Sequence, residues 1–294
     1  MNVLVTGASG FVGRHLCTYL LHQGHRVIGL ARSEGAELPG VEWVRGDVVT
    51  GAGLADAMTH AQAVIHLVGI IREKGKQITF EQVHVEGTRN VVGAALEADL
   101  ERFVHMSALG AVEGAKSRYF ETKARAETIV RESGLRYTIH RPSLIFGQGD
   151  DFFGETLKNL VEAGPVVPQI GDGHFPFRPI WVGDVARAFE QSLTRSAADQ
   201  RSFDLVGPTE YSFRELLELI RRTLGSRKPI VPVPLPLMRV AVPLLQILPN
   251  PPITSDQFEM LLAGNTGDPT EATAAFDLVM AELPEHLPRI LALA

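Results

Sequence analysis

The 294-residue chain holds one cysteine, Cys17. A single thiol excludes an internal disulfide and any multi-cysteine metal site, and it fits a reducing compartment. The ten histidines include no His-x-x-x-His pair, so no metal is expected; His66 and His140 fall inside predicted strands and read as structural. Excess positive charge is also missing. With 28 Lys and Arg against 34 Asp and Glu, the formal net charge is -6, and there is no basic block, so nucleic acid is not an expected partner. A long apolar run is absent too. The most apolar stretch, Ile230 to Pro249, is interrupted by Pro232, Pro234, Pro236 and Pro243 and by Arg239. A proline inside a helix costs about 3 kcal/mol or more, and a membrane span needs about 20 consecutive apolar residues. No transmembrane segment is expected. The chain opens on a strand pattern instead of a basic, then apolar, then small-residue leader, which points to a cytoplasmic protein.

What is present is alternation. Val3 to Val5 is followed by glycines and a helical pattern from Phe11 to about His22. Strands are predicted at Arg26 to Leu30, Val41 to Val44, Ala63 to Val68, Arg102 to Met106 and Tyr137 to His140. Helices are predicted from Val83 to Leu96 and from Lys123 to Arg131. Short β-rich runs alternating with helices predict an α/β fold, a Rossmann-type doubly wound parallel sheet with a smaller C-terminal substrate lobe. Later in the chain, Asp184 is expected to cap a helix through Leu193, and Phe203 to Val206 reads as one more strand. Ser212 and Glu215 have the spacing of a capping box before an amphipathic helix. The expected division is 1–147 with 180–206 for the nucleotide-binding domain, and 148–179 with 207–294 for the smaller lobe. The prolines from Pro229 to Pro252 predict an irregular lid or docking surface there.

The turn after the first strand carries Gly7, Gly10 and Gly13 in the order Thr6-Gly-Ala-Ser-Gly-Phe-Val-Gly. Gly7 lets the chain turn off the strand, Gly10 lets bare backbone approach a pyrophosphate, and Gly13 lets the helix pack on the sheet. The free amides and dipole at the helix start then face negative charge. Ser9 lies in the same turn and is a candidate cofactor contact. About 20 residues on, a carboxylate commonly takes the ribose 2′-hydroxyl of NAD. Here Ala31 stands in that place and Arg32 follows it. An arginine fork suits a 2′-phosphate, and Arg14 is close enough in sequence to help. NADP(H) is therefore favoured, with NAD(H) as the alternative; Glu34 is the neighbour that could instead occupy Arg32.

Tyr119 and Lys123 are four residues apart, on one face if their segment is helical. Ser107 ends the fifth strand, at the sheet edge where ligands bind in open α/β folds. An unperturbed phenol titrates near 10, too high for fast proton transfer at neutral pH, and a nearby ammonium favours its ionised form. A serine hydroxyl beside them can hold a substrate oxygen. The set suits hydride transfer at a carbonyl or alcohol carbon.

These residues, with Asp47 after the third strand and Arg141-Pro142 after the sixth, resemble the short-chain dehydrogenase/reductase superfamily in its extended and atypical branches. Val83-His84-Val85-Glu86-Gly87-Thr88-Arg89-Asn90, His105 to Ala111 and Arg141 to Gly147 are similar to the branch that contains the NAD(P)-binding accessory subunit of respiratory complex I and its bacterial relatives. The resemblance covers most of residues 1–225. It implies that Gly7, Gly10, Phe11 and Val12 surround the pyrophosphate, that Asp47 and Val48 flank the adenine, and that Leu67, Val68 and Gly69 run beside the adenosine ribose. It also implies that Lys123 holds the nicotinamide ribose and that Pro142 and Ser143 line the nicotinamide. His84 stands where many extended members carry asparagine, and reads more simply as a satisfied helix histidine.

The expected function is hydride transfer to or from a small, largely apolar carbonyl or alcohol, with Ser107, Tyr119 and Lys123 as catalytic residues. The branch resemblance implies a second expectation, a nucleotide-stabilised accessory or assembly protein, because its relatives hold NADPH structurally. A third is nucleotide-sugar epimerase or dehydratase work. Phe152, Phe153, Phe175, Phe177 and Trp181 are candidates for pocket or core, and Asp150-Asp151 reads as a turn or cap. The apolar stretch within 230–252 is a candidate contact for a membrane surface or partner protein, with packing against its own lobe as the plainer reading.

Overall fold

The computed structural model describes residues 1–33, 38–75, 78–246 and 253–292. The chain divides into two compact units: 1–142, 182–205 and 269–279 form the first; 143–181, 206–268 and 280–294 form the second.

The first unit is built on β1 (Asn2–Thr6), β2 (Arg26–Ala31), β3 (Val41–Arg45), β4 (Ala63–His66), β5 (Arg102–Met106), β6 (Arg136–Pro142) and the strand Arg201–Leu205. Their order across the sheet is Arg201–Leu205, β6, β5, β4, β1, β2, β3, with parallel pairing throughout. The middles of the central strands are apolar because both faces are covered: Val3, Leu4, Val5, Ala63, Val64 and Ile65 are wholly inaccessible, as parallel sheets require. Helices α1 (Phe11–His22), α2 (Leu54–Met58), α3 (Gly87–Glu97) and α4 (Arg118–Glu132) connect them. The chain runs outward from β1 to β3, then returns to the other side of β1 at β4. That reversal opens a crevice at the carboxyl ends of β1 and β4, the place where open α/β sheets receive ligands.

Several boundaries differ from expectation. β4 ends at His66, so Leu67 and Val68 lie in the loop beyond it. The helix expected from Val83 begins as a π-helical turn over Glu81–Glu86 before α3. Asp184 lies within the first turn of the helix Val182–Gln191 instead of ahead of it, where its charge still faces the positive helix end. Residues 269–279, expected in the smaller lobe, belong to the sheet unit. There Phe276 packs on His140 and Phe203 with ring centroids 5.2 and 4.8 Å apart, and Arg195 donates to Ala275 O at 2.8 Å. Residues 143–147, 180–181 and 206, expected with the nucleotide-binding domain, fall in the second unit.

The second unit has its own core, in which Phe146, Phe153, Phe177, Phe213, Leu216 and Leu287 are buried. Phe153 and Phe177 are therefore core residues, while Phe152, Phe175 and Trp181 pack partly buried against them. Asp150 accepts from the amides of Gly147, Phe153 and Gly154, which makes it a cap. Ser212 and Glu215 form the expected capping box. The proline-rich segment is more regular than its composition predicts. Ile230–Val233 pairs with Val167–Ile170, and Leu235–Leu245 is helical. Pro234 and Pro236 fall at that helix's start, where a missing N–H costs nothing; Pro243 stands inside it. Leu237, Val240 and Leu244 are exposed on this helix. Residues 247–252 lie outside the described residues. Among the described residues no helix is long and apolar enough to cross a membrane, and no group of three or more His, Cys, Asp or Glu is arranged to hold a metal.

A buried polar chain ties the centre of the first unit together. Thr6 Oγ1 lies 2.6 Å from His66 Nδ1, and His66 Nε2 lies 3.2 Å from Thr88 Oγ1. Thr88 gives its own proton to His84 O at 2.6 Å, so it accepts from His66 Nε2–H, and His66 Nδ1 accepts from Thr6. His84 Nδ1 contacts Thr122 Oγ1 at 2.9 Å. Thr122 Oγ1 also donates to Arg118 O at 2.8 Å, and His84 Nε2 lies 3.1 Å from both the amide and the carbonyl oxygen of Ile70. This chain requires neutral imidazoles. Burial, aided by the Lys123 charge, lowers His66 to about 3 and His84 to about 2. Burial lowers His140 to about 3, and burial together with His66 and Lys123 holds His105 well below 6.5.

The unfolded chain takes up protons on these histidines below about pH 6.5, and the native chain does not. Stability therefore rises with pH across the acid range up to about 6.5 and falls below it. His66, His84 and His140 each contribute about 1.4 kcal/mol of loss by pH 5.5, and His105 acts in the same direction. Urea unfolding at pH 7.5 and 5.5 should show that fall, and His66→Gln should reduce it. Equal stabilities at the two pH values would contradict the neutral network.

Candidate active site

The loops leaving β1, β4 and β5 carry most of the candidate residues. Beyond Thr6 the chain turns at Gly7, whose φ of +78° is left-handed. A Cβ there would lie 3.2 Å from Val68 N and 3.3 Å from Leu67 C, so the glycine turn packs directly on the Leu67–Val68 backbone. Gly13 is more constrained. Its Cβ would stand 2.1 Å from Gly7 O and 2.7 Å from Ala8 Cα. Gly10 differs from both. Its φ is -76°, and a Cβ would meet only Gly7 O, at 3.3 Å. The fold itself demands Gly7 and Gly13 but not Gly10.

Gly10 opens α1 without a side-chain capping bond and without an acid in the first turn. The amides of Phe11 and Val12 thus lack an acceptor inside the helix, at its positive end. A bare-backbone cradle with free donors fits a dinucleotide diphosphate. Ser9 and Arg14 flank it; Arg14 Nε donates to Ser9 O at 3.0 Å, folding the arginine back on the turn. Arg32 is exposed after the end of β2 and forms no hydrogen bond or ion pair among the described residues. Glu34, its expected competitor, lies outside the described residues.

The loop after β3 is fixed from two sides. Asp47 Oδ1 accepts from Val49 N at 2.8 Å. Asn90 on α3 donates to both Val48 O and Val49 O at 2.9 Å, a role with no sequence signal beyond an amide on a helix. Val48 is buried, and a Cβ on Gly87 would come within 3.1 Å of it. Gly69 is exposed, and its Cβ would lie 2.9 Å from Lys123 Nζ.

Ser117 caps α4 by accepting from Phe120 N, which places Tyr119 in the first turn and Lys123 one turn later. Helical geometry puts both on one face. Tyr119 is half-buried, with edge contacts to Phe80 at 5.9 Å and His84 at 5.5 Å. Lys123 is buried, and Nζ donates to Met106 O at 2.9 Å. Burial pulls its pKa from 10.5 down to about 8, against the opposing pull of Glu127. Ser107 follows Met106; its amide donates to His140 O at 2.7 Å. Its hydroxyl is buried without a well-formed partner among the described residues and leans toward Glu127. Pro142 O accepts from Leu109 N at 3.0 Å in the first unit. Ser143 belongs to the second unit, where its hydroxyl donates to Arg178 O at 2.5 Å.

Glu127 is the residue that sequence reading missed. Its carboxylate accepts from Arg141 Nε and Nη2 at 2.7 and 2.6 Å and from Arg131 at 2.6 Å. Burial pushes its pKa up, but Arg141, Ser107 and Arg131 together hold it below the ordinary carboxylate value. The Lys-x-x-x-Glu spacing was the available signal.

Residues 3–205 match the model of the family described as "NAD dependent epimerase/dehydratase family". The chain belongs to that family. Its fold is the short-chain dehydrogenase/reductase type of nucleotide-binding α/β fold. It is 28% identical over 281 residues to the mitochondrial NADH-ubiquinone oxidoreductase 40 kDa subunit of Neurospora crassa, covering 92% of this chain and 72% of that one. It is 33% identical over 219 residues to a 3-beta-hydroxysteroid dehydrogenase of Mycolicibacterium neoaurum, covering 64% of this chain and 59% of that one. Some relatives are much longer: the chain spans 25% of an uncharacterized Mycobacterium tuberculosis protein to which it is 28% identical over 240 residues. Among solved structures, the UDP-glucuronic acid 4-epimerase of Bacillus cereus, in complex with UDP-glucuronic acid and NAD, shares the fold. Its TM-score is 0.75 at 19% identity, with 98% of this chain and 96% of that one covered.

The glycines separate binding from folding. Gly13→Ala forces backbone apart and should destabilise by about 1–3 kcal/mol. Gly10→Ala should leave the thermal midpoint within about 2–4 °C yet weaken pyridine-dinucleotide binding at least tenfold in a calorimetric titration. Unaltered binding by the Gly10 variant would remove the diphosphate from this turn.

Proposed function

We propose that the chain binds a pyridine dinucleotide, NADP(H) in preference to NAD(H), and moves hydride to or from a small, largely apolar carbonyl or alcohol. The single observation that carries this reading is Lys123, a lysine buried with Nζ on Met106 O, beside Gly69, on the same helical face as Tyr119. A fully buried ammonium is costly, and its use here is to favour the Tyr119 phenolate.

When bound, the nicotinamide supplies or accepts the hydride. In the reducing direction Tyr119 gives its proton to the carbonyl oxygen, Lys123 stabilises the phenolate left behind, and Ser107 holds the same oxygen. In the oxidising direction the proton returns to Tyr119. Gly7, Ser9, Gly10, Phe11 and Val12 would hold the diphosphate, Arg14 and Arg32 the 2′-phosphate, and Asp47 and Val48 the adenine. Leu67, Val68 and Gly69 would flank the adenosine ribose. Lys123 would also reach the nicotinamide ribose, with Pro142 and Ser143 against the nicotinamide. The 3-beta-hydroxysteroid dehydrogenase relative supports an apolar alcohol or ketone as substrate class.

The relationship to the 40 kDa subunit across 92% of the chain favours a second reading: a nucleotide held structurally in an accessory or assembly protein that contacts a partner. Nucleotide-sugar epimerisation is weaker, because Ala31-Arg32 points away from NAD.

Tyr119→Phe should keep NADPH affinity and lower turnover of a ketone panel at least 100-fold; unchanged turnover excludes the mechanism. In the wild type, bound nucleotide that neither exchanges nor is oxidised by carbonyls or quinones would favour the structural reading. Arg32→Ala should weaken NADPH and spare NADH. Equal losses for both would assign Arg32 no part in cofactor choice.

A further inference from the structure

Lys123 and Glu127 stand one turn apart on α4, both buried, and their surroundings are unequal. Glu127 has a side-chain exposure of 1%, whereas its partners Arg131 and Arg141 are 37% and 28% exposed. Both arginines can meet water, so neither needs a fully buried carboxylate. Lys123 is 2% exposed. Among the described residues it forms no ion pair at contact distance, and its one protein acceptor is the Met106 carbonyl. The charged or titratable groups around it are His66 from β4, His84 from the π-helical turn, His105 from β5, and Tyr119 and Glu127 from α4. The three histidines are neutral, which leaves Glu127 as the negative charge acting on the ammonium. Around Glu127 stand Arg131 from α4, Arg141 from β6 and, behind Arg141, Asp204 from the strand Arg201–Leu205.

We propose that Glu127 is a positioning residue for the catalytic set: its buried charge keeps Lys123 protonated, and its clamp on Arg141 and lean toward Ser107 fix the ends of β5 and β6 beneath the site. The role assigned to Lys123 above is the premise. The arginines hold Glu127 ionised and aimed, and Glu127 in turn compensates a buried ammonium. Charge removal at Glu127 therefore acts through Lys123.

The test is a pH titration of the Lys123 ammonium by lysine-selective NMR in the full chain, for wild type, Glu127→Gln and Glu127→Asp. Thermal unfolding of each variant reports folding separately. The Gln variant should lower the Lys123 midpoint by about one unit or more, and the Asp variant, which keeps the charge but draws it back, should lower it by less. A folded Gln variant with an unmoved midpoint overturns the proposal. Where Gln prevents folding, Asp decides alone: a smaller downward shift supports the role, and no shift contradicts it. The readout needs neither nucleotide nor turnover, so a failure of the charge link between Glu127 and Lys123 is distinguished from a failure of the proposed activity.

Discussion

Helix α1 can leave β1 as closely as it does because Gly13 carries no side chain: a Cβ would stand 2.1 Å from Gly7 O. That approach sets the rest of the nucleotide region. It forces the Gly7 turn against Leu67 and Val68, aligns the loops after β1 and β4 along one crevice, and points the start of α1 outward. Gly10, which no internal contact requires to be glycine, then leaves open backbone where a diphosphate would lie. The family match over residues 3–205 agrees with this local geometry.

At the centre of the first unit the protein buries His66, His84, His105, Lys123, Glu127 and His140. His66 and His84 are buried as neutral imidazoles, His66 between Thr6 and Thr88 and His84 between Thr122 and the Ile70 backbone. Lys123 and Glu127 stay charged nearby, with Arg131 and Arg141 on the carboxylate. Low local polarity amplifies each of these choices. The uncharged histidines spare Lys123 additional repulsion, and the arginines keep Glu127 from taking a proton. Helix α4 is thereby held from the β1–β4 side by hydrogen bonds and from the β5–β6 side by charge.

Much of this was legible in the sequence. Apolar strand runs alternating with helical periodicity gave the sheet, the glycine spacing gave the turn, and Tyr119 with Lys123 gave the face of α4. Ser212 and Glu215 announced their capping box. Other features depend on side chains that meet only after folding. Asn90 reaches across to Val48 and Val49 from 42 and 41 residues away, and Glu127 meets Arg141 through the packing of α4 on β6, which periodicity does not encode. Residues 269–279 joined the sheet unit through Phe276, an aromatic in an otherwise weak helical signal. Proline density misled at 230–245 because Pro234 and Pro236 fall at a helix start, where they are tolerated, and Pro232 lies in a short strand of a two-stranded sheet.

The central claim is that the open start of α1 grips the diphosphate of a pyridine dinucleotide. Extraction of the purified, unheated protein under denaturing conditions, followed by mass analysis of released nucleotide and calorimetric titration of the stripped chain, tests it most directly. The account expects NADP(H) in the extract or saturable one-to-one binding of NADPH by the stripped protein. An extract free of dinucleotide, together with a stripped chain that binds neither NADPH nor NADH, would contradict it.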